Sequence, residues 1–265
     1  MSLRKILLTL VLLAVVFSIY NYKQISKYYI NKINLKSNKI VEPIRITQIT
    51  DFHSNQNINL DDLFEDIKDF NPHMILLTGD IIDYKTSDFS LAAKVLEQSK
   101  SITSRVFFIN GNHEIRNKYY NEFQLLVEKN GITILDDSWQ VLEIGNNKIK
   151  LFGSSFYADK NDYGKLFKDI SPQEYNILLS HSPNRPINYL YEDTDLILSG
   201  HTHGGQVRLP LIGGIIAPGQ GAFPKYDKGI FQVGNTVLYI DSGLGNSVYP
   251  IRAFNRVQIT NITIE

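Results

Sequence analysis

From Ile44 onward, short apolar runs alternate with stretches whose apolar positions recur every three or four residues. The runs Ile44–Thr50, Met74–Thr78, Val106–Asn110, Ile149–Phe152, Asn176–Ser180 and Leu196–Ser199 have strand length and strand composition. Three more strands are predicted at Gln206–Leu209, Thr236–Ile240 and Arg256–Glu265. Helical spacing marks Asp61–Phe70, Phe89–Ser101 and Tyr119–Asn130. Helix–strand alternation followed by closely spaced strands predicts an α/β fold with mixed sheets. The glycine-rich stretch Gly213–Gly221 reads as a long irregular loop.

The first 41 residues follow a different pattern. Arg4 and Lys5 precede Ile6–Tyr20, a run broken only by Thr9 and Ser18. A helix of that length spans about 22 Å, short of a ~30 Å hydrocarbon core. A basic start before an apolar run serves either as an uncleaved signal anchor or as a cleaved export signal. No small-x-small site follows Tyr20, which favours an anchor over residues 1–22, with Tyr20 and Tyr22 at the interface. A buried helix of a soluble domain is disfavoured, because no polar face interrupts the run. Residues 23–41 read as a basic stalk, either solvated or lying on anionic lipid, and residues 42–265 as one domain.

The 265 residues carry 27 basic and 27 acidic side chains, and the sum hides an asymmetry. Residues 1–41 hold seven bases and no acid, so the body carries seven more acids than bases. An acidic body argues against nucleic acid as a partner. Lys23, Lys27, Lys32, Lys36 and Lys39 follow the apolar run, and by the positive-inside rule they would keep the body in the cytoplasm. Export through the leader would place it outside, and a single-pass anchor with an extracytoplasmic domain is the expectation carried forward. With no cysteine, the chain has no disulfide, no thiolate metal site and no cysteine nucleophile.

The candidate chemistry lies just beyond the strands. Asp51 and His53 follow the first strand, Asp80 and Asp83 the second, and Asn112, His113 and Glu114 the third. His181 follows Asn176–Ser180, and His201 and His203 follow Leu196–Ser199. Strand ends of an open α/β sheet converge on one edge, so these side chains can share a crevice. Asp51, His53, Asp80, Asn112, His181, His201 and His203 offer carboxylate, amide and imidazole donors without sulfur. That set suits Mn, Fe or Zn better than Mg or Ca. Seven donors exceed the needs of one ion and suit two divalent ions roughly 3.5–4 Å apart, joined by a shared carboxylate and a hydroxide. His73, at a strand start after Pro72, reads as structural or surface.

In order and spacing, these five blocks resemble the calcineurin-like metallophosphoesterase superfamily over about residues 44–265. The segments Gly200–Gln206, Ala217–Gly221, Phe223–Tyr226 and Arg252–Arg256 look more closely like a bacterial subgroup. Its members are often membrane-anchored or exported phosphodiesterases, some related to UDP-2,3-diacylglucosamine pyrophosphohydrolases. The resemblance implies a sandwich of two mixed β-sheets flanked by helices. It implies Asp51, His53 and His203 on one metal, Asn112, His181 and His201 on the other, and Asp80 bridging. His113 would assist the leaving group, Asp83 would orient it, and Glu114 would support the site.

Protein phosphatases of this superfamily follow the second aspartate with an arginine, and here that place holds Tyr84, which disfavours such a role. Arg116, Arg208, Lys225 and Arg252 are candidate phosphate contacts. The apolar loop Gly213–Phe223 suggests a lid and, with the anchor, a lipid-linked or membrane-surface substrate. The expected function is hydrolysis of phosphodiester or pyrophosphate bonds. A phosphomonoesterase or nucleotidase and a non-catalytic metal-bound scaffold are the alternatives.

Overall fold

Runs that are apolar at every position, such as Met74–Leu77, form strands covered on both faces, where side chains alternate between two different cores. The computed structural model describes residues 2–189, 193–246 and 249–265. It begins with α1 (Leu3–Ser26), β1 (Tyr29–Leu35) and β2 (Ile44–Ile49). Next come α2 (Leu60–Phe70), β3 (Met74–Leu77), α3 (Ser90–Ile102), β4 (Val106–Phe108), α4 (Asn112–Arg116), α5 (Tyr120–Lys129) and β5 (Thr133–Ile134). The second half continues with β6 (Ser138–Ile144), β7 (Asn147–Ser154), α6 (Lys160–Leu166), β8 (Tyr175–Ser180), α7 (Asn184–Asn188) and β9 (Leu196–Ser199). Four two-residue strands follow: β10 (Arg208–Leu209), β11 (Gly213–Gly214), β12 (Ile216–Ala217) and β13 (Gly221–Ala222). The chain closes with β14 (Gly229–Val233), β15 (Thr236–Ile240) and β16 (Gln258–Ile264).

Two six-stranded mixed sheets result, in the orders β1-β16-β2-β3-β4-β5 and β14-β15-β9-β8-β7-β6. Ile44, Ile46, Met74 and Leu76 of the first sheet meet Leu151, Ile177, Leu179, Leu196 and Leu198 of the second. The alternate positions Ile49, Ile75, Leu77 and Phe108 pack on Leu63, Ile67, Val95 and Phe123 from α2, α3 and α5. On the opposite side, Phe152, Leu178 and Ile197 meet Tyr163 and Leu166 of α6. Period-two alternation thus divides each central strand between an inter-sheet core and an outer core. The strands β2, β3 and β4 run parallel, as do β7, β8, β9 and β15, so their carboxyl ends gather at one edge.

Several boundaries differ from those read in the sequence. The helix α1 extends past Tyr20 to Ser26, giving 24 residues and about 36 Å, enough to cross a bilayer. The stretch 23–41, expected as a stalk, contains the end of α1 and all of β1, which pairs in parallel with β16 from Tyr29 to Leu35. Its Ile33 is buried in the inter-sheet core, and Ile30 packs against the outer one. The polar pair Asn31 and Lys32 between those positions hid a strand that lies at a sheet edge. Gly213–Gly221 is not wholly irregular, because β11 and β12 lie within it and β13 begins at its end. His73 accepts a hydrogen bond from the Arg45 amide at 3.1 Å, a structural role.

The edge strand yields a prediction. A chain beginning at Asn21 keeps β1, whereas one beginning at Val41 uncovers β16 and removes Ile33 from the core. Loss of one to two buried aliphatic side chains costs roughly 2–5 kcal/mol. Urea unfolding should show the shorter chain destabilised by that amount, and equal midpoints for the two would contradict the placement of β1.

Candidate metal centre

Three strands of the gathered edge, β2, β3 and β9, end in turns that the backbone makes at some cost. Asp51, His53, Asp80, His201 and His203 all adopt left-handed φ between 47° and 67°. Such conformations persist in non-glycine residues only where the surroundings over-determine them, and they cluster at functional sites. Glycine is required beside them. Gly79 has φ +90°, and a Cβ there would come within 2.7 Å of both the Gly111 amide nitrogen and His181 Nδ1.

One carboxylate ties two of these turns together. The Oε2 atom of Glu114, in α4, accepts the amides of Asp80 (2.8 Å) and Gly111 (2.9 Å). Its Oε1 accepts those of Ile81 (2.7 Å) and Ile82 (3.1 Å). The side chain is fully buried, and burial followed by the nearby charge of Asp80 pushes its carboxyl up to about 7. The position of Asp80 is thereby locked, and its Oδ1 accepts the His113 amide at 2.8 Å. Asp51 is held similarly, by the His201 amide on both oxygens (3.1 and 3.0 Å) and by the Thr50 hydroxyl (2.8 Å).

The donor atoms converge in two principal groups. Asp51, His53 and His203 form one, and Asp80, His181 and His201 form the other. His53 Nε2 and His203 Nε2 lie 3.3 Å apart, and they are 3.8 and 3.5 Å from Asp51 Oδ1. Asp80 Oδ2 stands between the groups, 3.1 Å from His181 Nε2, 3.7 Å from His53 Nε2 and 4.0 Å from His113 Nε2. The Nδ1–H of His181 donates to the Thr78 carbonyl at 2.8 Å, which turns Nε2 toward the Asp80 carboxylate. At 3.1 Å the two atoms need a proton or a cation between them. Although burial opposes its ionisation, Asp80 raises His181 to about 10. Burial and His181 together pull His201 down to about 4, leaving that ring a neutral donor.

Other unsatisfied atoms point the same way. The Asn112 Oδ1, His181 Nε2 and His53 Nδ1 atoms are buried without a hydrogen-bond partner. A native fold rarely leaves such groups orphaned unless a ligand satisfies them. The oxygen and nitrogen donors at these positions fit divalent cations. A third set, His53, Asp83 and His113, also lies within metal-binding distance. There, however, His113 Nδ1 and Asp83 Oδ2 are 3.1 Å apart and already serve one another. Burial works against charge on the His113 ring, but the hydrogen bond to Asp83 raises its pKa and lowers that of Asp83.

The candidate phosphate contacts separate in space. Arg116 lines a cleft of about 630 Å³ together with Asp80, Asn112, His113, His201 and His203. It has no hydrogen-bond or ion-pair partner among the described residues. Arg208 and Lys225 line a different cavity, and Arg208 is engaged by Asp227 at 2.8 Å. Arg252 is 0% exposed and holds the Ser242 and Gly245 carbonyls at 2.6 Å, with one nitrogen 3.4 Å from His203 Nδ1. It braces His203 from behind and does not reach the cleft. Arg185 and Phe156, which do line the cleft, escaped the sequence reading. The Arg185 guanidinium is fixed by the Ala158 carbonyl at 2.9 Å. Its position five residues past the end of β8 was the available signal.

A two-sheet sandwich with Asp, His and Asn donors gathered at strand ends is the architecture of a metal-dependent phosphoester hydrolase. The family model for calcineurin-like phosphoesterases matches residues 44–205, and the chain belongs to that family. It is 31% identical over 227 residues to the metallophosphoesterase YkuE of Bacillus subtilis, covering 83% of this chain and 79% of that one. Identity to the phosphodiesterase YaeI of Escherichia coli is 27%, over 84% of this chain and 82% of the relative. A Danio rerio transmembrane protein with metallophosphoesterase domain is 25% identical and is covered over 63% of its length. Among solved structures, the NAD nucleotidase of Haemophilus influenzae superposes with a TM-score of 0.54 at 18% identity. That match covers 77% of this chain and 46% of the nucleotidase, and it supports the fold alone.

Glu114→Gln preserves size but replaces one of the two oxygens with a donor that faces two amides. Positioning groups of this kind are worth about 10–100-fold in metal affinity. Titration of the variant with Mn or Zn should show that weakening together with a lower melting temperature. Unchanged affinity and unchanged melting would show that the four amide contacts do not shape the centre.

Proposed function

We propose that the chain is a dinuclear metal-dependent phosphoesterase acting on phosphodiester or pyrophosphate bonds. In this reading Asp51, His53 and His203 hold one cation, Asn112, His181 and His201 the other, and Asp80 serves both. The carrying observation is Asp80 Oδ2, which lies 3.1 Å from His181 in one donor group and 3.7 Å from His53 in the other. When bound, two divalent cations polarise phosphoryl oxygens and acidify water enough to supply a nucleophile near neutral pH.

The chain's own groups do the rest. Asp83 orients His113 through Nδ1, which leaves Nε2 turned toward the cleft to give a proton to the departing oxygen. Arg116 and Arg185, on the cleft wall, meet the anionic part of the substrate. Phe156 lies 5.4 Å from the His201 ring and 5.9 Å from that of His181, giving the wall an apolar, water-excluding surface. The exposed apolar helix α1 anchors the chain in a membrane, with the body on the extracytoplasmic side and a lipid-linked or membrane-surface phosphoester as substrate.

Two variants separate holding cations from moving protons. His113→Ala should lower turnover of bis-p-nitrophenyl phosphate by about 10²–10⁴-fold with metal content nearly intact. Asp80→Ala should lose bound metal. Equal metal loss in both would end this division of roles, and faster hydrolysis of p-nitrophenyl phosphate than of the diester would favour a phosphomonoesterase. Arg116→Ala should raise KM more than it lowers kcat, whereas an unchanged KM would remove Arg116 from substrate binding.

A further inference from the structure

The turn joining β10 to β11 is Pro210-Leu211-Ile212, apolar at a position where turns are ordinarily polar. Leu211 is 108% exposed, as open as an isolated residue, and holds a left-handed φ of 70°. Phe254 is also exposed with a left-handed φ, at 51°. A large apolar side chain in that conformation gains nothing from water and strains the backbone. Asn or Gly would relieve the strain. Leu209, Leu211, Ile212 and Phe254 line one shallow cavity with Lys225, and none of the proposed metal ligands lines it.

This patch adjoins the end of α1. The Tyr20 and Phe254 rings are 6.0 Å apart, and the Phe254 amide donates to the Tyr20 hydroxyl at 2.8 Å. Asn21 accepts the Arg252 amide at 2.8 Å and donates to the Pro250 carbonyl at 2.9 Å. The helix therefore leaves the domain at a defined place beside the patch. Lys23 and Lys27, both exposed on the same end of the chain, and Lys225 in the patch carry charge that suits anionic headgroups.

We propose that Leu209, Leu211, Ile212 and Phe254 form a second lipid contact, dipping into the bilayer interface beside α1. The occupant is the bilayer itself, and the contact fixes how the domain sits on the membrane. The proposal rests on α1 being a membrane anchor, and the test separates the two. Single tryptophans are placed in the full chain at Leu12, Leu211 and Phe254 in a Trp139→Phe background. The proteins are reconstituted into vesicles of anionic lipid with brominated acyl chains. Quenching at all three positions, with blue-shifted emission at Leu211→Trp and Phe254→Trp, is the expected result. Quenching at Leu12→Trp alone would overturn the second contact and keep the anchor. No quenching anywhere would overturn both. A blue shift at Leu211→Trp without bromine quenching would mean that a second copy of the chain covers the patch, and would equally overturn the lipid contact.

Discussion

Four backbone amides that point at one buried carboxylate hold this site in shape. Glu114 joins the turn after β3 to the turn after β4. Without it, the Asp80 and Gly111 segments would each present unsatisfied N–H groups to an apolar interior, at about 1–3 kcal/mol apiece. The grip comes before the chemistry. Asp80 can face three imidazoles within 4.0 Å only because its own backbone cannot move away from them.

The sandwich supplies what such a grip needs. Both central sheets are apolar on both faces, so their strands are fixed in register by two cores at once. Strain in the five left-handed residues of the donor groups is borne by that rigidity. Behind the donor groups stand neutral and cationic braces: the Thr78 carbonyl for His181, and Arg252 with Asn255 for His203. Burial pushes the Arg252 guanidinium down to about 10, so it stays protonated at neutral pH and offsets part of the carboxylate charge.

Much of this was legible in the sequence, and the reason is local. Asp51, Asp80, Asn112, His181 and His201 each follow a short apolar run within one to four residues, so strand ends and donors could be read together. The central strands at 74–77 and 196–199 were visible because nothing polar interrupts them. Long-range placement was not legible. The strand β1 carries asparagine and lysine between its partly buried Ile30 and buried Ile33, and only pairing with β16, more than 220 residues away, makes it a strand. Arg208, Lys225 and Arg252 looked alike as cations, yet one is paired, one lies in a separate cavity and one is sealed behind His203. Burial decides their roles, and burial depends on the whole fold.

In the proposed arrangement the gathered donors serve two cations through one shared carboxylate. The direct measurement is turnover of a phosphodiester by metal-stripped full-length protein as Mn or Zn is added back, with bound metal counted by elemental analysis. Activity should be absent at the start and reach its plateau with two equivalents bound per chain. A plateau at one bound equivalent, or full turnover by the stripped protein, would contradict it.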